Sequence, residues 1–182
     1  MSLIFVTGIS GSGKSTVWQE LKARGYEAYD VDEDALAKWH NNETGYVHPK
    51  SSVKAHQRTP AFLASHSWKV PRQEVEELAK HAVDKNIFLC GVVANEKELW
   101  DLFGKVIALT VDEDTLRHRI QSRTNNDFGK SEHEFEQIIG WQADTEDSYR
   151  KFGHITIDAT RPLGQVVDDV IAVASSGDKD DQ

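Results

Sequence analysis

The apolar run Leu3–Thr7 stops on Gly8-Ile9-Ser10-Gly11-Ser12-Gly13-Lys14-Ser15-Thr16, and a helical pattern starts inside that segment. No other junction in the chain restricts the fold as tightly. A strand apolar on both faces must turn sharply, through a backbone that glycine adopts freely, into an amphipathic helix. That helix reads over Lys14–Arg24, with Val17, Trp18 and Leu21 on one side and Gly25 as its stop. The alternation then repeats. Strand-like runs follow at Glu27–Asp30, Ile87–Val93, Val106–Val111 and Ile155–Asp158. Helical patterns follow at Gln73–Lys85, Asp114–Arg123, Glu134–Ser148 and Leu163–Ala174. Strands alternating with helices imply βαβ units, and so an α/β fold: an open parallel sheet between two helical layers.

The glycine-rich segment also carries chemistry. It meets the spacing G-x-x-x-x-G-K-[ST] at Gly8, Gly13, Lys14 and Ser15. Glycines let the backbone curl so that several N–H groups point inward, and the following helix adds its positive end. Lys14 can reach β- and γ-phosphates, and the Ser15 hydroxyl can ligate Mg²⁺. Residues Gly8, Ile9, Ser10, Gly11, Ser12, Gly13, Lys14, Ser15 and Thr16 are therefore expected to bind a nucleoside triphosphate, ATP with Mg²⁺.

Two further groups belong to that expectation. The second strand runs out through Asp30-Val31-Asp32. Residues two apart share a strand face, so both carboxylates can project at the sheet edge where α/β folds hold ligands. One can assist Mg²⁺, with Asp32 the candidate, and the other can take a proton from an acceptor hydroxyl. The alternative is an acidic cap for a helix over Asp34–Trp39. Arg119 and Arg123 stand four apart on a helix and so share a face. They can clamp a transferring phosphoryl group, or form a solvated basic face. The polar break Thr124–Ser131 directly after them suits a lid.

These residues resemble the small P-loop kinases, the group that includes adenylate, shikimate and gluconate kinases. Val6 to Thr16 is similar to the start of gluconate kinases. Asp30-Val31-Asp32 looks like the D-x-D of shikimate kinases, and Arg119 to Arg123 like the R-x-x-x-R before the lid of adenylate kinases. Asp158-Ala-Thr-Arg161-Pro162 resembles the late loop that packs on adenine, which adds Arg161 and Pro162 to the nucleotide site; alternatively it is a turn capping the last helix. The resemblance implies a three-layer P-loop NTPase fold with a five-stranded parallel sheet, a small lid, and transfer of the γ-phosphoryl group to a small acceptor. There are departures. Ile87–Val93 does not end in Asp, Asp112 reads as a helix cap, and the acceptor patterns of gluconate and shikimate kinases are missing. A nucleoside or nucleoside monophosphate is the favoured acceptor, ahead of a shikimate- or gluconate-like metabolite. A regulatory ATP-binding switch is the alternative of another class; no N-K-x-D motif for guanine occurs.

Composition bounds the rest. The 182 residues fit one domain over 1–174, with an acceptor-binding insert at about 41–72, a lid at about 124–131 and a disordered tail at 175–182. The insert has no clear period; Trp68, Arg58 and Arg72 stand where an acceptor would be held. The net charge of −9 argues against a nucleic-acid or anionic-membrane surface. Cys90 is alone, so no internal disulfide forms, and its apolar neighbours suit a buried strand thiol. Eight histidines form no metal-binding spacing. No basic leader precedes Leu3, and a cytoplasmic monomer or homodimer is expected.

Overall fold

The structure is a computed structural model and describes residues 1–49, 52–54, 57–124, 129–132, 134–140 and 154–176. The elements are β1 (Leu3–Thr7), α1 (Lys14–Ala23), β2 (Glu27–Asp30), β3 (Lys38–Asn41), α2 (Pro60–Ser65), β4 (His66–Lys69) and α3 (Arg72–His81). They continue with β5 (Ile87–Cys90), two short 3-10 turns (Glu96–Glu98 and Trp100–Leu102), β6 (Lys105–Thr110) and α4 (Glu113–Ser122). A helix α5 (132 and 134–140), then β7 (Ile155–Asp158) and α6 (Leu163–Ser175) complete the described chain.

Five strands form one sheet in the order β2-β5-β1-β6-β7, and every pair in it is parallel. The pleat sorts β1 between two cores. Ile4 and Val6 face a cluster shared with Leu21 of α1, Leu116 of α4, Phe135 of α5 and Val167 of α6. Leu3 and Phe5 face the opposite cluster, with Val75 and Leu78 of α3. All five β1 residues are buried, as a central parallel strand covered on both faces requires. This is the three-layer α/β P-loop NTPase fold with a five-stranded parallel sheet that the sequence implied.

Local chemistry sets the element ends. Gly25, at φ 85°, closes α1: its N–H donates to Lys22 O and the Tyr26 N–H to Leu21 O, each at 3.0 Å. Asp112 caps α4, its carboxylate accepting the Thr115 N–H at 2.7 Å. The strand expected over Ile87–Val93 ends at Cys90 instead. Gly91 follows at φ 153°, and a Cβ there would lie 2.2 Å from a Val31 methyl. The chain needs a glycine where it passes so close to the end of β2.

The segment expected to be aperiodic is ordered differently from that reading. Lys38–Asn41 and His66–Lys69 pair as an antiparallel ribbon that sets Trp39 opposite Trp68. Thr59 caps α2 by accepting the Phe62 N–H at 3.2 Å. The helix considered for Asp34–Trp39 does not form. Asp34 instead accepts the Asp30 N–H at 2.8 Å, Ala35 sits at φ 63°, and the chain enters β3 at Lys38. Ribbon and sheet are joined after β5. The Ala94 N–H donates to Trp68 O at 2.8 Å, and the buried Asn95 amide bonds both N–H and C=O of Val70. Half of the expected lid (125–128), the end of the fourth helical pattern (141–148) and the tail from 177 lie outside the described residues.

Candidate active site

Gly8 and Gly13, at φ 142° and 105°, turn the chain out of β1 and into α1. A Cβ on Gly8 would stand 2.5 Å from the Leu109 carbonyl oxygen, so the loop lies hard against β6. Gly13 caps α1 without any side-chain hydrogen bond. The first N–H groups of the helix are thus left for a ligand, as anion-binding helix ends require. Ser12 is fully buried and holds the loop's shape, its N–H on Ile9 O at 3.1 Å.

Lys14 reaches back under this loop. Its Nζ donates to Gly8 O at 2.7 Å and Ile9 O at 2.8 Å. Burial lowers its pKa to about 8, against the pull of Asp32, Asp30 and Glu96, whose charges favour the ammonium form. A phosphate arriving at the loop would restore the counter-charge that burial has removed.

The two arginines of α4 reach the loop from its other side. Arg119 donates to Ser12 O at 3.1 Å and to Ala159 O at 2.7 Å, tying the loop to the turn after β7. Arg123 donates to Ser10 Oγ at 3.3 Å, at the crown of the loop. Their shared face is therefore directed at the phosphate loop, in different roles: Arg119 bridges backbone carbonyls, and Arg123 stands where charge would gather. Arg161 lines the same cleft and pairs with Asp169, while Pro162 starts α6. The Asp158 carboxylate accepts the Thr160 N–H at 2.9 Å, shaping that turn.

Asp30 and Asp32 stand side by side in sequence but differ in kind. Asp30 is 2% exposed, and its Oδ1 accepts the N–H groups of Asp32 (2.9 Å) and Glu33 (3.1 Å). It shapes the turn leaving β2. Asp32 reaches the cleft, and its Oδ1 accepts the Trp68 indole N–H at 2.8 Å. Loss of water around it, then the charge of Asp30, hold its carboxyl above the usual range; Trp68 and Lys14 oppose this. The result is a more basic carboxylate, fixed in orientation by an indole. Burial, with Asp30 beside it, pushes the Cys90 thiol upward, which leaves it un-ionised and inert.

Phosphate loop and ribbon line one continuous cleft of about 1630 Å³. Its far half holds Trp39, Trp68, Trp100, His48, Arg58 and Glu96. Glu96, 9% exposed, is a carboxylate that sequence reasoning passed over. It lies within the run Asn95-Glu96-Lys97-Glu98, whose charges read as a surface turn. Trp39 has no signal in the sequence, because nothing in the pattern marks Lys38–Asn41 as a strand; His48, which the sequence offered with His56 and His66 either for an anionic acceptor or as a solvated loop histidine, lines the cleft. Arg72 is not among the cleft residues. It pairs with Asp101 and with Glu76 (2.9 Å) and donates to Glu98 O at 2.7 Å.

The arrangement has oxygen donors suited to a hard cation. The Ser15 hydroxyl is exposed and makes no hydrogen bond among the described residues, and Asp32 shares its cleft. Among the described residues no three His, Cys, Asp or Glu side chains gather to hold an ion by themselves. That suits Mg²⁺, which takes most of its ligands from phosphates and water.

The family model for an AAA domain matches residues 4–140. No curated protein matches the chain. Among solved structures, the shikimate kinase from Bacteroides thetaiotaomicron is similar at TM-score 0.61 and 17% identity, covering 96% of this chain and 99% of that one. The deoxyadenosine kinase from M. mycoides with bound dATP gives 0.59 and 17%, covering 97% and 100%. The gluconokinase from Sinorhizobium meliloti 1021 gives 0.56 and 20%, covering 96% and 91%. At such identities the likeness is one of fold, and it extends over nearly the whole of each chain.

Proposed function

This chain belongs to the AAA-domain family, and on that premise we propose that it is an ATP-dependent kinase which transfers the γ-phosphoryl group to the hydroxyl of a small acceptor. The observation that carries the reading is a single cleft lined both by a phosphate loop and by Asp32, a carboxylate held in orientation by the Trp68 indole. A switch needs the first; a phosphotransferase needs both. The solved structures of similar fold support it, being kinases of shikimate, gluconate and deoxyadenosine by name. The dATP bound to one of them supports nucleotide binding by a chain of this fold.

In this reading the N–H groups of residues 9–15 and the Lys14 ammonium hold the β- and γ-phosphates. Ser15 and Asp32, the latter through water, hold Mg²⁺, which supplies charge neutralisation on the phosphate oxygens. Asp32 orients the acceptor hydroxyl and accepts its proton as the new O–P bond forms and the bond to the ADP oxygen breaks. Asp30 keeps Asp32 in place through the turn it caps. Arg123 neutralises charge on the transferring group, and Arg119 with Arg161 and Pro162 frames the nucleotide's far end. The chain acts as one domain over 1–174, its insert at about 41–72 forming the acceptor side and about 124–131 the lid. A nucleoside or nucleoside monophosphate heads the acceptor classes.

The test is ADP release from ATP and Mg²⁺ across a panel of acceptors. ADP formed in proportion to a consumed acceptor supports the kinase. Hydrolysis that no acceptor stimulates sinks it and leaves the ATP switch.

A further inference from the structure

The acceptor half of the cleft has an unusual surface for a site near phosphates. The ribbon sets Trp39 against Trp68 with ring centroids 5.2 Å apart and planes tilted by 54°. Phe62 of α2 backs Trp39 edge-on at 5.3 Å. Both indoles are half-buried and both line the cleft. The result is a braced aromatic corner on the cleft wall, with Trp68 also packed against the core. The Trp68 N–H is already used by Asp32, so what Trp68 offers a ligand is its ring. The Trp39 N–H makes no hydrogen bond among the described residues and is a donor beside that ring. His48, which also lines this half, has an Nε2 that is buried without a hydrogen bond.

The charges on this side are arranged by depth. The buried ones are carboxylates, Asp30 at 2% and Glu96 at 9% exposure. The cations that line the same half, Arg58 and Lys97, are exposed, and Lys38 is half-buried. Exposed cations are screened by water and salt, whereas buried carboxylates are screened less. Arg72, bound to Asp101, Glu76 and Glu98, points its charge elsewhere.

Building on the kinase reading above, we propose that the acceptor is an uncharged hydroxyl compound with a flat unsaturated ring, of the nucleoside kind. Its ring stacks on the indole faces of Trp39 and Trp68, and its hydroxyl meets Asp32. The Trp68–Asp32 hydrogen bond makes the two ends of the acceptor one recognition unit: the surface that seats the ring also aims the carboxylate. Acceptors with a second anionic group, a phosphate or a carboxylate, are disfavoured by Asp30 and Glu96. The transfer is balanced as written: acceptor oxygen gains phosphorus, its proton leaves to Asp32, and ADP departs with the bonding pair.

The test compares a nucleoside, its 5′-monophosphate, a hexose and a shikimate-like carboxylate. Transfer is read as ADP release at saturating ATP. Binding, which needs no transfer, is read separately by quenching of tryptophan fluorescence. The nucleoside is expected to exceed the other three in kcat/KM by about tenfold or more. Preference for the monophosphate, the carboxylate or the hexose overturns the proposal while leaving the kinase reading intact. Nucleoside binding without transfer does the reverse. A nucleoside that neither binds nor accepts phosphate overturns the proposal. Trp39→Ala is expected to raise the acceptor KM about tenfold with the ATP KM unchanged, and Trp39→Phe to restore most of it. Should Trp39→Ala fold poorly by circular dichroism, Trp39→Leu keeps apolar bulk without the aromatic face and carries the same expectation. An unchanged acceptor KM in a folded variant overturns the stacking.

Discussion

The two ends of the cleft are built in opposite ways. In the proposed kinase the donor end comes from consecutive residues, 8–16, whose backbone would hold the phosphates. The proposed acceptor end is gathered from β2, the ribbon β3–β4 and the turn after β5, and would bind through its side chains. A backbone cradle needs a fixed glycine spacing, so it writes itself into the sequence. A side-chain corner needs only that distant residues meet, and leaves no local spacing. The difference also divides the chemistry: one end holds what ATP-binding proteins share, the other what a particular acceptor requires.

The sharpest way to break this comparison is Lys14→Ala. The ammonium reaches back under the donor loop, bonded to Gly8 O and Ile9 O. Its loss is expected to lower kcat/KM for transfer by about a thousandfold, with a far-ultraviolet spectrum like that of the parent. Full activity in that variant would sink the donor assignment. Next comes the acceptor end. Asp32→Asn keeps an oxygen for the Trp68 N–H but removes the base, and kcat is expected to fall about a hundredfold, with a smaller rise in the ATP KM because Asp32 also assists Mg²⁺. Asp30→Ala should behave differently, because it strips two backbone N–H groups of a buried partner. It is expected to cost about 1–3 kcal/mol of stability, seen as a lower Tm. If Asp30→Ala lost only turnover and Asp32→Asn only stability, the roles would be exchanged.

Arg123→Ala sharpens the donor end further. Its guanidinium stands at Ser10 Oγ, and kcat should fall about ten- to a hundredfold, the worth of one charge-assisted contact. Arg119→Ala should instead raise the ATP KM, because that side chain ties Ser12 to Ala159. An unchanged kcat for Arg123→Ala would remove it from the mechanism.

A smaller effect is expected from pH. Lys14 is lowered to about 8, so in the free protein it is charged below pH 8 and loses its proton above. Bound phosphates favour the charged form and raise its pKa again. ATP affinity is therefore flat below pH 8 and falls above it, by up to about tenfold per unit, until the bound-state pKa is passed. Calorimetric titrations in buffers of different ionisation enthalpy should show proton uptake on binding near pH 8–9. A dissociation constant that stays level from pH 7 to 9.5 would exclude a neutral Lys14.

Most of the fold was legible because the hydrophobic runs of a parallel sheet are nearly continuous; Leu3–Thr7 and Ile155–Asp158 were read to the residue. Ile87–Val93 was overextended because Gly91-Val92-Val93 is as apolar as the strand, and only the approach of Val31 stops it. The ribbon was illegible for the converse reason. Lys38-Trp39-His40-Asn41 and His66-Ser67-Trp68-Lys69 carry polar residues on both faces, so neither shows the alternation of a half-buried strand. Their partner is 25 residues or more away, held by Asn95 and Ala94 of a third segment. The carboxylates Asp30 and Asp32 are legible as a pair at the cleft, but which one is tied up in backbone N–H bonds and which meets Trp68 depends on a turn that sequence spacing alone does not resolve.

Arg72 gives the smallest expected effect and the most discriminating one for the acceptor end. By sequence it was expected there, four residues after Trp68. In the fold its guanidinium lies on Asp101 and Glu76, outside the cleft, with its charge held firmly by those carboxylates. Exposed pairs of this kind are screened and contribute little. Arg72→Ala is therefore expected to leave the acceptor KM, kcat and Tm within experimental error of the parent. A raised KM confined to acceptors that bear a phosphate or carboxylate would mean that Arg72 leaves Asp101 to meet an anion. The acceptor end would then be a site assembled by movement, unlike the preformed backbone cradle at the other end of the cleft.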